Sequence, residues 1–153
     1  MNHKRRDMIR ITSVLGLAIS AGLLRTSPVF AADWNAKAFE AKSMEDVVKA
    51  LGGGAPATSK DIMITAPDIA ENGAVVPVSV SSSVPNTEYM AILVEKNPSA
   101  LSASFNIPAD GEPAVSTRIK MGATSKVHAL VKADGKWLIA SKEIKVTLGG
   151  CGG

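Results

Sequence analysis

From residue 57 to residue 148 the sequence consists of short, strand-like runs separated by turn-forming residues. Runs such as D-I-M-I-T-A-P and A-L-S-A-S-F-N-I alternate apolar and other residues with the period of two that β-strands show. Turn signals such as Asn72-Gly73 and Asp134-Gly135 fall between runs, because Asn, Asp and Gly tolerate positive φ angles. About seven such runs predict an immunoglobulin-like antiparallel β-sandwich, and the absence of strand–helix–strand alternation argues against a parallel sheet. In the run V-V-P-V-S-V-S, Pro77 predicts an edge strand or a bulge.

A helical segment is predicted before the strands, over residues 32–56, with helix from Asp33 to Leu51. Ser43 is expected to cap its second part, with Asp46 at the third helical position. Four apolar residues recur there at helical spacing, which favours core packing over a binding groove: Met44, Val47, Val48 and Leu51. The run G-G-G-A-P is expected to end the helix, because glycine accepts a left-handed C-cap and proline cannot continue the turn.

Residues 1–31 have the layout of a cleaved export signal. The charged stretch M-N-H-K-R-R-D-M-I-R precedes an apolar stretch, Ile11 to Leu24, that is too short to span a bilayer comfortably. The run S-P-V-F-A-A offers small residues for cleavage after Ala31. The adjacent Arg5 and Arg6 predict twin-arginine export to the bacterial periplasm, an oxidising compartment; a general secretory signal is the alternative. The leader has no lipobox cysteine, so we expect no membrane association after cleavage.

The net charge of the chain, +3, comes from its leader. Beyond residue 31 the sequence has 12 basic and 13 acidic residues, hence a net charge of −1. With no basic patch and few aromatic residues, this part is not expected to bind nucleic acid. Apolar residues make up 46% of the chain, enough to predict a packed domain rather than a disordered chain.

Candidate catalytic and metal-binding residues are scarce. Beyond residue 31, His128 and Cys151 are the only histidine and cysteine, too few soft ligands for a zinc, copper or iron–sulfur site. A phosphate-binding glycine loop and a nucleophile elbow are also missing. We therefore expect no cofactor, no metal site and no catalytic residue. His128 lies between two lysines in S-K-V-H-A-L-V-K and is predicted to face solvent, whereas Trp34 and Trp137 are predicted to lie in a core or an interface.

The tail is the most unusual part of the sequence. The chain ends in L-G-G-C-G-G, and Cys151 is its only cysteine. Gly149, Gly150, Gly152 and Gly153 place no side chains beside the thiol and predict a flexible arm over residues 149–153. An extended arm would hold the thiol roughly 10 Å beyond Leu148, at about 3.3–3.6 Å per residue. An ordinary cysteine, with a pKa of about 8.5, is mostly protonated at neutral pH. The pattern favours a covalent handle that other enzymes act on over a catalytic nucleophile.

Several alternative roles for the tail are open at this stage. The cysteine could join two chains through a disulfide, in which case the protein would be a periplasmic structural or interaction module. It could also be an incidental residue near a chain end. A ubiquitin-like sulfur carrier, which also ends in Gly-Gly, would need cytosolic ATP and does not fit the predicted export. A prenylation signal does not fit, because only two residues follow the cysteine.

Three sequence segments together resemble one family. The terminal G-G-C-G-G, the leader motif R-R-D-M-I-R and the segment A-P-D-I-A-E-N-G-A-V-V-P-V are similar to SoxY, the thiosulfate carrier subunit of the bacterial sulfur-oxidation (Sox) system. The resemblance covers nearly the whole chain, and the tail is its most specific part. It implies that thiosulfate becomes attached to Cys151 as an S-thiosulfonate, and that the four tail glycines form the carrier arm.

The resemblance also implies partners. SoxY proteins pair with SoxZ, a second sandwich subunit without its own leader, and a heterodimer of this kind fits a pathway that exports folded proteins. A haem-containing oxidase would load the arm, a hydrolase would release sulfate, and a sulfane dehydrogenase would oxidise the remaining sulfane sulfur. The chain itself would then be a carrier and not an enzyme.

Overall fold

The computed structural model describes residues 35–147, so the predictions for the leader, for Trp34 and for the tail lie outside the described residues. Two helices come first, α1 (Ala36–Glu40) and α2 (Met44–Ala50). Nine strands follow within the described range: β1 (Ala57–Thr58), β2 (Ile62–Thr65), β3 (Ile69–Ala70), β4 (Val76–Ser82), β5 (Thr87–Val94), β6 (Leu101–Asn106), β7 (Ala114–Ile119), β8 (Ser125–Ala133) and β9 (Lys136–Val146).

The strands form two sheets. The larger sheet has the order β1-β9-β8-β5-β6, with β3 also pairing with β9, and the smaller sheet has the order β2-β4-β7. The pairings are antiparallel except those of β1 and β3 with β9, which are parallel and two residues long. The prediction of a mainly β, immunoglobulin-like sandwich is confirmed. The two strands beyond the expected seven are these short pieces, β1 and β3.

The first hydrophobic core lies between the two sheets. Alternate residues of β4 point into it, as the period of two requires: Val76, Val78 and Val80 are all at most 2% exposed. The facing sheet contributes another set of buried residues: Met90, Ile92, Val94, Val127, Ala129, Val131 and Ile144. Each of these strands therefore buries at least one apolar face, which fixes its register in the sheet.

The helices cover the other face of the larger sheet and create a second core. Val47 and Val48 of α2 pack there with Leu93, Leu130 and other buried residues. As a result, the central strands β5 and β8 are buried on both faces. The second core also contains Trp137, 9% exposed, whose ring meets that of Tyr89 edge-on at 5.8 Å. The core placement predicted for Trp137 is confirmed.

Local signals define α2 at both ends. The Ser43 hydroxyl accepts a hydrogen bond from the Asp46 amide at 3.1 Å, so the predicted N-cap is confirmed. At the other end Gly52 has φ +76°, and the amides of Gly52 and Gly53 bond back to the carbonyls of Lys49 and Val48. This is a Schellman C-cap. Within the described range, extended backbone at Ala41 and Ser43 divides the helical stretch predicted from Asp33 to Leu51 into two helices, and the second begins after the predicted cap Ser43.

Pro77 lies in the central strand of the smaller sheet, at a point that only one neighbouring strand reaches. Strand β4 is the central strand of that sheet, but β2 pairs only with Ser79–Ser82. At Pro77 the sole neighbour is β7, through Arg118. The predicted edge strand or bulge is wrong, because β4 is central and pairs with β7 without a register shift. The missing N–H of Pro77 nevertheless interrupts no ladder on the β2 side, since β2 does not reach it.

Candidate functional site at the end of the last strand

The residues predicted to carry function lie outside the described range. Cys151 and the tail glycines Gly149, Gly150, Gly152 and Gly153 follow it, and Arg5 and Arg6 precede it. What the structure does describe is the base from which the tail leaves. Strand β9 ends at Val146, and the described chain ends at Thr147, four residues before the thiol.

Backbone hydrogen bonds hold the end of β9 on one side. The amide of Lys145 donates to the carbonyl of Asp68 at 2.9 Å, and the amide of Thr147 donates to the carbonyl of Ala70 at 3.1 Å. Strand β3 supplies this contact, with Ala70 in register with Val146. The short parallel strand therefore extends the pairing of β9 to the last described residue.

A side chain holds the opposite side of the same strand end. The amide of Val146 donates to Thr124 Oγ1 at 2.9 Å, where the β8–β9 ladder has ended at Ser125 and Ile144. Gly73 packs against this point: a Cβ there would lie 2.4 Å from the carbonyl oxygen of Met121 and 2.8 Å from Val146 Cγ1. A larger residue at position 73 would force the Met121 carbonyl and the Val146 side chain to move. We call Ala70, Gly73, Thr124, Val146 and Thr147 the arm root.

Sequence patterns do not identify the arm root. Gly73 carries only the signal of a turn residue, and the run D-I-A contains a strand of two residues, which is too short to show a period. One sequence feature could have indicated the arm root. Apolar residues alternate along the last strand through Ile144 and Val146 to Leu148, so the strand is predicted to be long. A strand that remains buried on one face to its end needs neighbours there on both sides.

His128 is buried, so the prediction that it faces solvent is wrong. The residue is 8% exposed, and its Nδ1 lies 2.7 Å from Ser141 Oγ on the neighbouring strand. Its Nε2 lies 3.9 Å from a carboxylate oxygen of Glu95. The prediction fails because the helices cover this face of the sheet. The run Y-M-A-I-L-V in the adjacent strand, apolar at both parities, is the signal that both faces are buried.

The surroundings of His128 lower its pKa. Burial is the largest cause, since it disfavours the charged imidazolium, and Lys126 adds to the effect. The carboxylates of Glu95 and Glu45 act in the opposite direction but do not cancel it. The folded protein therefore favours neutral His128 below the ordinary pKa of 6.5.

A mostly apolar groove of about 530 Å³ opens beside His128, between α2, the segment 53–56 and the larger sheet. It is too far from the arm root to serve the thiol of the same chain. Ser141, which bonds to His128, precedes Thr147 by six residues, or about 20 Å along a strand. Cys151 follows Thr147 by four residues and reaches at most about 14 Å. His128 is thus not placed to act as a base for Cys151.

We predict that neutral His128 contributes stability that is lost in acid. The unfolded chain takes up a proton near pH 6.5, whereas the folded chain resists protonation until lower pH. The contribution is therefore present above pH 6.5 and disappears as the pH falls through the lowered pKa. Urea unfolding between pH 7.5 and pH 5 should show wild type losing stability relative to His128→Gln, which cannot titrate. Parallel pH profiles for the two proteins would contradict this role.

Two other features of the described range bear on function. Within residues 35–147, no cluster of three or more histidine or acidic side chains is placed to hold a metal ion. Neither of the two described helices has the length and apolar character needed to cross a membrane. The exposed apolar side chain Ile69, 56% exposed, lies on β3 in register with Lys145 and therefore beside the arm root.

Comparisons with known proteins point to one family. A family model described as sulfur oxidation protein SoxY matches residues 47–151. Among solved structures, the sulfur carrier protein SoxY from Chlorobium limicola f thiosulfatophilum is similar, with 39% sequence identity and a TM-score of 0.64. The match covers 69% of this chain and 97% of that chain. No curated protein sequence matches significantly.

Proposed function

Because the chain belongs to the SoxY family of sulfur-oxidation proteins, we propose that it carries thiosulfate-derived sulfur covalently on Cys151 in the bacterial periplasm. The observation on which the proposal rests is the arm root: the sheet holds the chain on both sides until Thr147, four residues before the only thiol. The residues matched by the family model include Cys151. A fixed root followed by an arm of glycines suits delivery of one group to several enzymes.

The glycines explain how one thiol could serve several active sites. Because G-G-C-G-G has no side chain other than that of Cys151, it can enter a channel too narrow for a loop with larger residues. Its glycines can also adopt backbone conformations that other residues disfavour. The arm would sweep a radius of about 14 Å around Thr147. Tethering keeps the substrate at an effective concentration on the order of millimolar near each enzyme, whereas free thiosulfate diffuses away.

The chemistry on the arm can be written as balanced steps. Loading joins the Cys151 sulfur to the outer sulfur of thiosulfate, giving a cysteine S-thiosulfonate; one thiol proton and two electrons leave, and the electrons pass to the haem-containing oxidase. Water then cleaves the bond between the sulfane sulfur and the sulfonate group, which releases hydrogen sulfate and leaves a cysteine persulfide. A sulfane dehydrogenase would oxidise that sulfur further. The new sulfur–sulfur bond is stable enough to carry yet open to thiolate attack.

The protein needs no catalytic group of its own for this role. The oxidase, the hydrolase and the dehydrogenase would supply the chemistry, and this chain would supply the handle. A SoxZ-like sandwich subunit would complete a heterodimer and would be exported with it, directed by Arg5 and Arg6. The twin-arginine route, which moves folded proteins, would allow the two chains to assemble first.

We predict that bulk beside the thiol impairs delivery without affecting the fold. In a Gly150→Val and Gly152→Val double variant, β-branched side chains would widen the arm and restrict its backbone on both sides of Cys151. Turnover with the partner enzymes should fall about tenfold or more, as a misplacement costing about 1.4 kcal/mol would produce. Turnover in a reconstituted system, the melting temperature and a thiol titration would be measured together, with the last two unchanged.

Gly54→Val is the matched control, because a Cβ at Gly54 would meet nothing within 4 Å. This control should turn over like wild type. If instead the cysteine only formed a structural disulfide, the double variant would be as active as its control, and the carrier proposal would be wrong.

A further inference from the structure

One lateral side of the sandwich presents two strand edges that have no partner among the described residues. Strand β6 ends the larger sheet and β7 ends the smaller sheet, and they lie next to each other. A free edge offers unpaired N–H and C=O groups to any extended chain that approaches it. This side of the described surface is therefore open to strand addition.

A groove of about 610 Å³ lies between the start of β6 and the end of β7. Leu101 and Ile119, both less than 5% exposed, are among the residues that line it. Its outer wall is formed by Arg118, Lys120 and Gly122. The groove thus combines a buried apolar side with a polar, accessible side, as ligand-binding clefts do.

The wall of the groove is held in place before any ligand arrives. The side-chain amide of Asn97 donates to the carbonyl of Lys120 at 2.7 Å and accepts from the amide of Gly122 at 3.2 Å. The amide of the intervening Met121 donates to the carbonyl of Gly73 at 2.7 Å. A fixed wall lowers the conformational cost of binding.

The charged side chains that line the groove are all positive. Arg118 and Lys120 line it, and no carboxylate does so among the described residues. Neither cation forms an ion pair within residues 35–147, whereas Lys132 pairs with Glu88 and Lys142 pairs with Asp68 there. An incoming acidic group would therefore meet two unpaired positive charges without displacing an existing partner.

Of the two edges, β7 is the more regular. It pairs with β4 in unbroken register over all six residues, from Ala114 to Ile119. By contrast, the pairing of β6 with β5 shifts beside Ser102, which leaves a bulge of the kind that blunts edges. Side chains of β7 alternate: Ala114, Ser116 and Arg118 are exposed, whereas Val115, Thr117 and Ile119 are partly or fully buried.

From these observations we propose that a partner protein adds an extended, acidic segment as a strand at the free edge of β7. Its outward side chains would be carboxylates beside Arg118 and Lys120, and its inward side chains would be apolar, towards Ile119. Main-chain hydrogen bonds would give affinity, and the cross-strand ion pairs would give specificity. The proposed contact uses residues of β7 and the adjoining loop and none of the tail, so this inference does not depend on the carrier role.

The test uses purified protein with its complete tail and three labelled peptides. One is acidic, acetyl-T-V-E-V-E-V-T-amide; the second replaces both Glu by Lys; the third replaces the central Val of the acidic peptide by Pro. Fluorescence anisotropy is measured at low ionic strength, because salt screens charge interactions. Only the acidic peptide should bind, since the basic peptide is repelled by Arg118 and Lys120 and the proline peptide lacks a backbone N–H donor. Amide chemical shifts of the protein should change along β7 rather than β6.

A matched pair of protein variants separates this site from general attraction. Arg118→Ser with Lys120→Ser should weaken the acidic peptide at least tenfold. Lys49→Ser with Lys136→Ser removes the same charge from two exposed positions outside the groove and should have little effect. If the first variant does not fold, Arg118→Gln is compared with Lys136→Gln, so that one positive charge is removed in each. Any of four results would overturn the proposal: equal binding of the acidic and basic peptides, no binding of the acidic peptide at about 1 mM, equal weakening of binding by both variants, or chemical-shift changes along β6.

Discussion

Replacing Cys151 with Ser should abolish thiosulfate-dependent turnover and leave the fold intact. A serine hydroxyl cannot form the sulfur–sulfur bond on which every later step depends, so activity should fall to the background without the protein. The described sheets end at Val146, and residue 151 lies beyond the arm root, so unfolding should be unchanged. The measurement is electron transfer in a reconstituted system with purified partner enzymes, together with thermal unfolding of both proteins.

The same arm offers a control for this substitution. Gly153→Ser introduces the same hydroxyl two residues further along and keeps the thiol, so it should retain most of the activity. Turnover by Cys151→Ser at a level close to that of Gly153→Ser would show that the thiol is not the attachment point. The protein would then need a different role.

Replacing both Arg5 and Arg6 with Lys should keep the precursor in the cytoplasm. Lysine preserves the charge of the leader but not the paired guanidinium groups, which differ from ammonium groups in shape and hydrogen bonding. The periplasmic yield should fall to near background, and a co-expressed partner subunit without its own leader should be retained with it. Immunoblots of periplasmic and cytoplasmic fractions measure both proteins at once.

Arg25→Lys, a change of the same kind at the end of the apolar stretch, is the matched control and should be exported normally. A periplasmic yield of the double variant equal to that of this control would favour the general secretory route. Export of the partner subunit without this chain would contradict joint transport, even if the arginine pair were required.

The strands and the ends of α2 could be predicted because their signals are local. Alternation in A-L-S-A-S-F-N-I corresponds to a strand, and Ser43 and Gly52 form the caps that their side-chain chemistry favours. Asp134 and Gly135 both adopt positive φ in the predicted hairpin turn. In each case, residues within one turn or one strand decide the conformation.

The features that sequence patterns miss depend on contacts between distant parts of the chain. His128 lies between two lysines at alternate positions of its strand, and only the helices packed over its sheet make it buried. Strands β1 and β3 are two residues long and exist because β9 offers them an edge. Single-strand periodicity describes one strand and cannot show which other element covers its outward face.

Part of the candidate site could likewise be predicted from the sequence, and part could not. The thiol and its glycines are evident in sequence, because G-G-C-G-G places the only cysteine of the chain among residues that have no side chains. The arm root required the structure, since Thr124 and Gly73 lie 22 and 73 residues from Val146 and contact it only in the fold. Fixing the root is what would confine the thiol to a defined volume around Thr147.

Sulfur carried by Cys151 in the cell is detected most directly by intact-mass spectrometry of the protein isolated from thiosulfate-grown cells. Cells should be lysed in an alkylating agent so that free thiols are capped before they can exchange. We predict one population whose mass exceeds that of the uncapped protein by a thiosulfonate group, and others whose mass exceeds that of the alkylated protein by added sulfur atoms. Every addition should map to the peptide that contains Cys151. A protein found only as the alkylated thiol or as a disulfide-linked dimer, with no added sulfur during active thiosulfate oxidation, would contradict the carrier role.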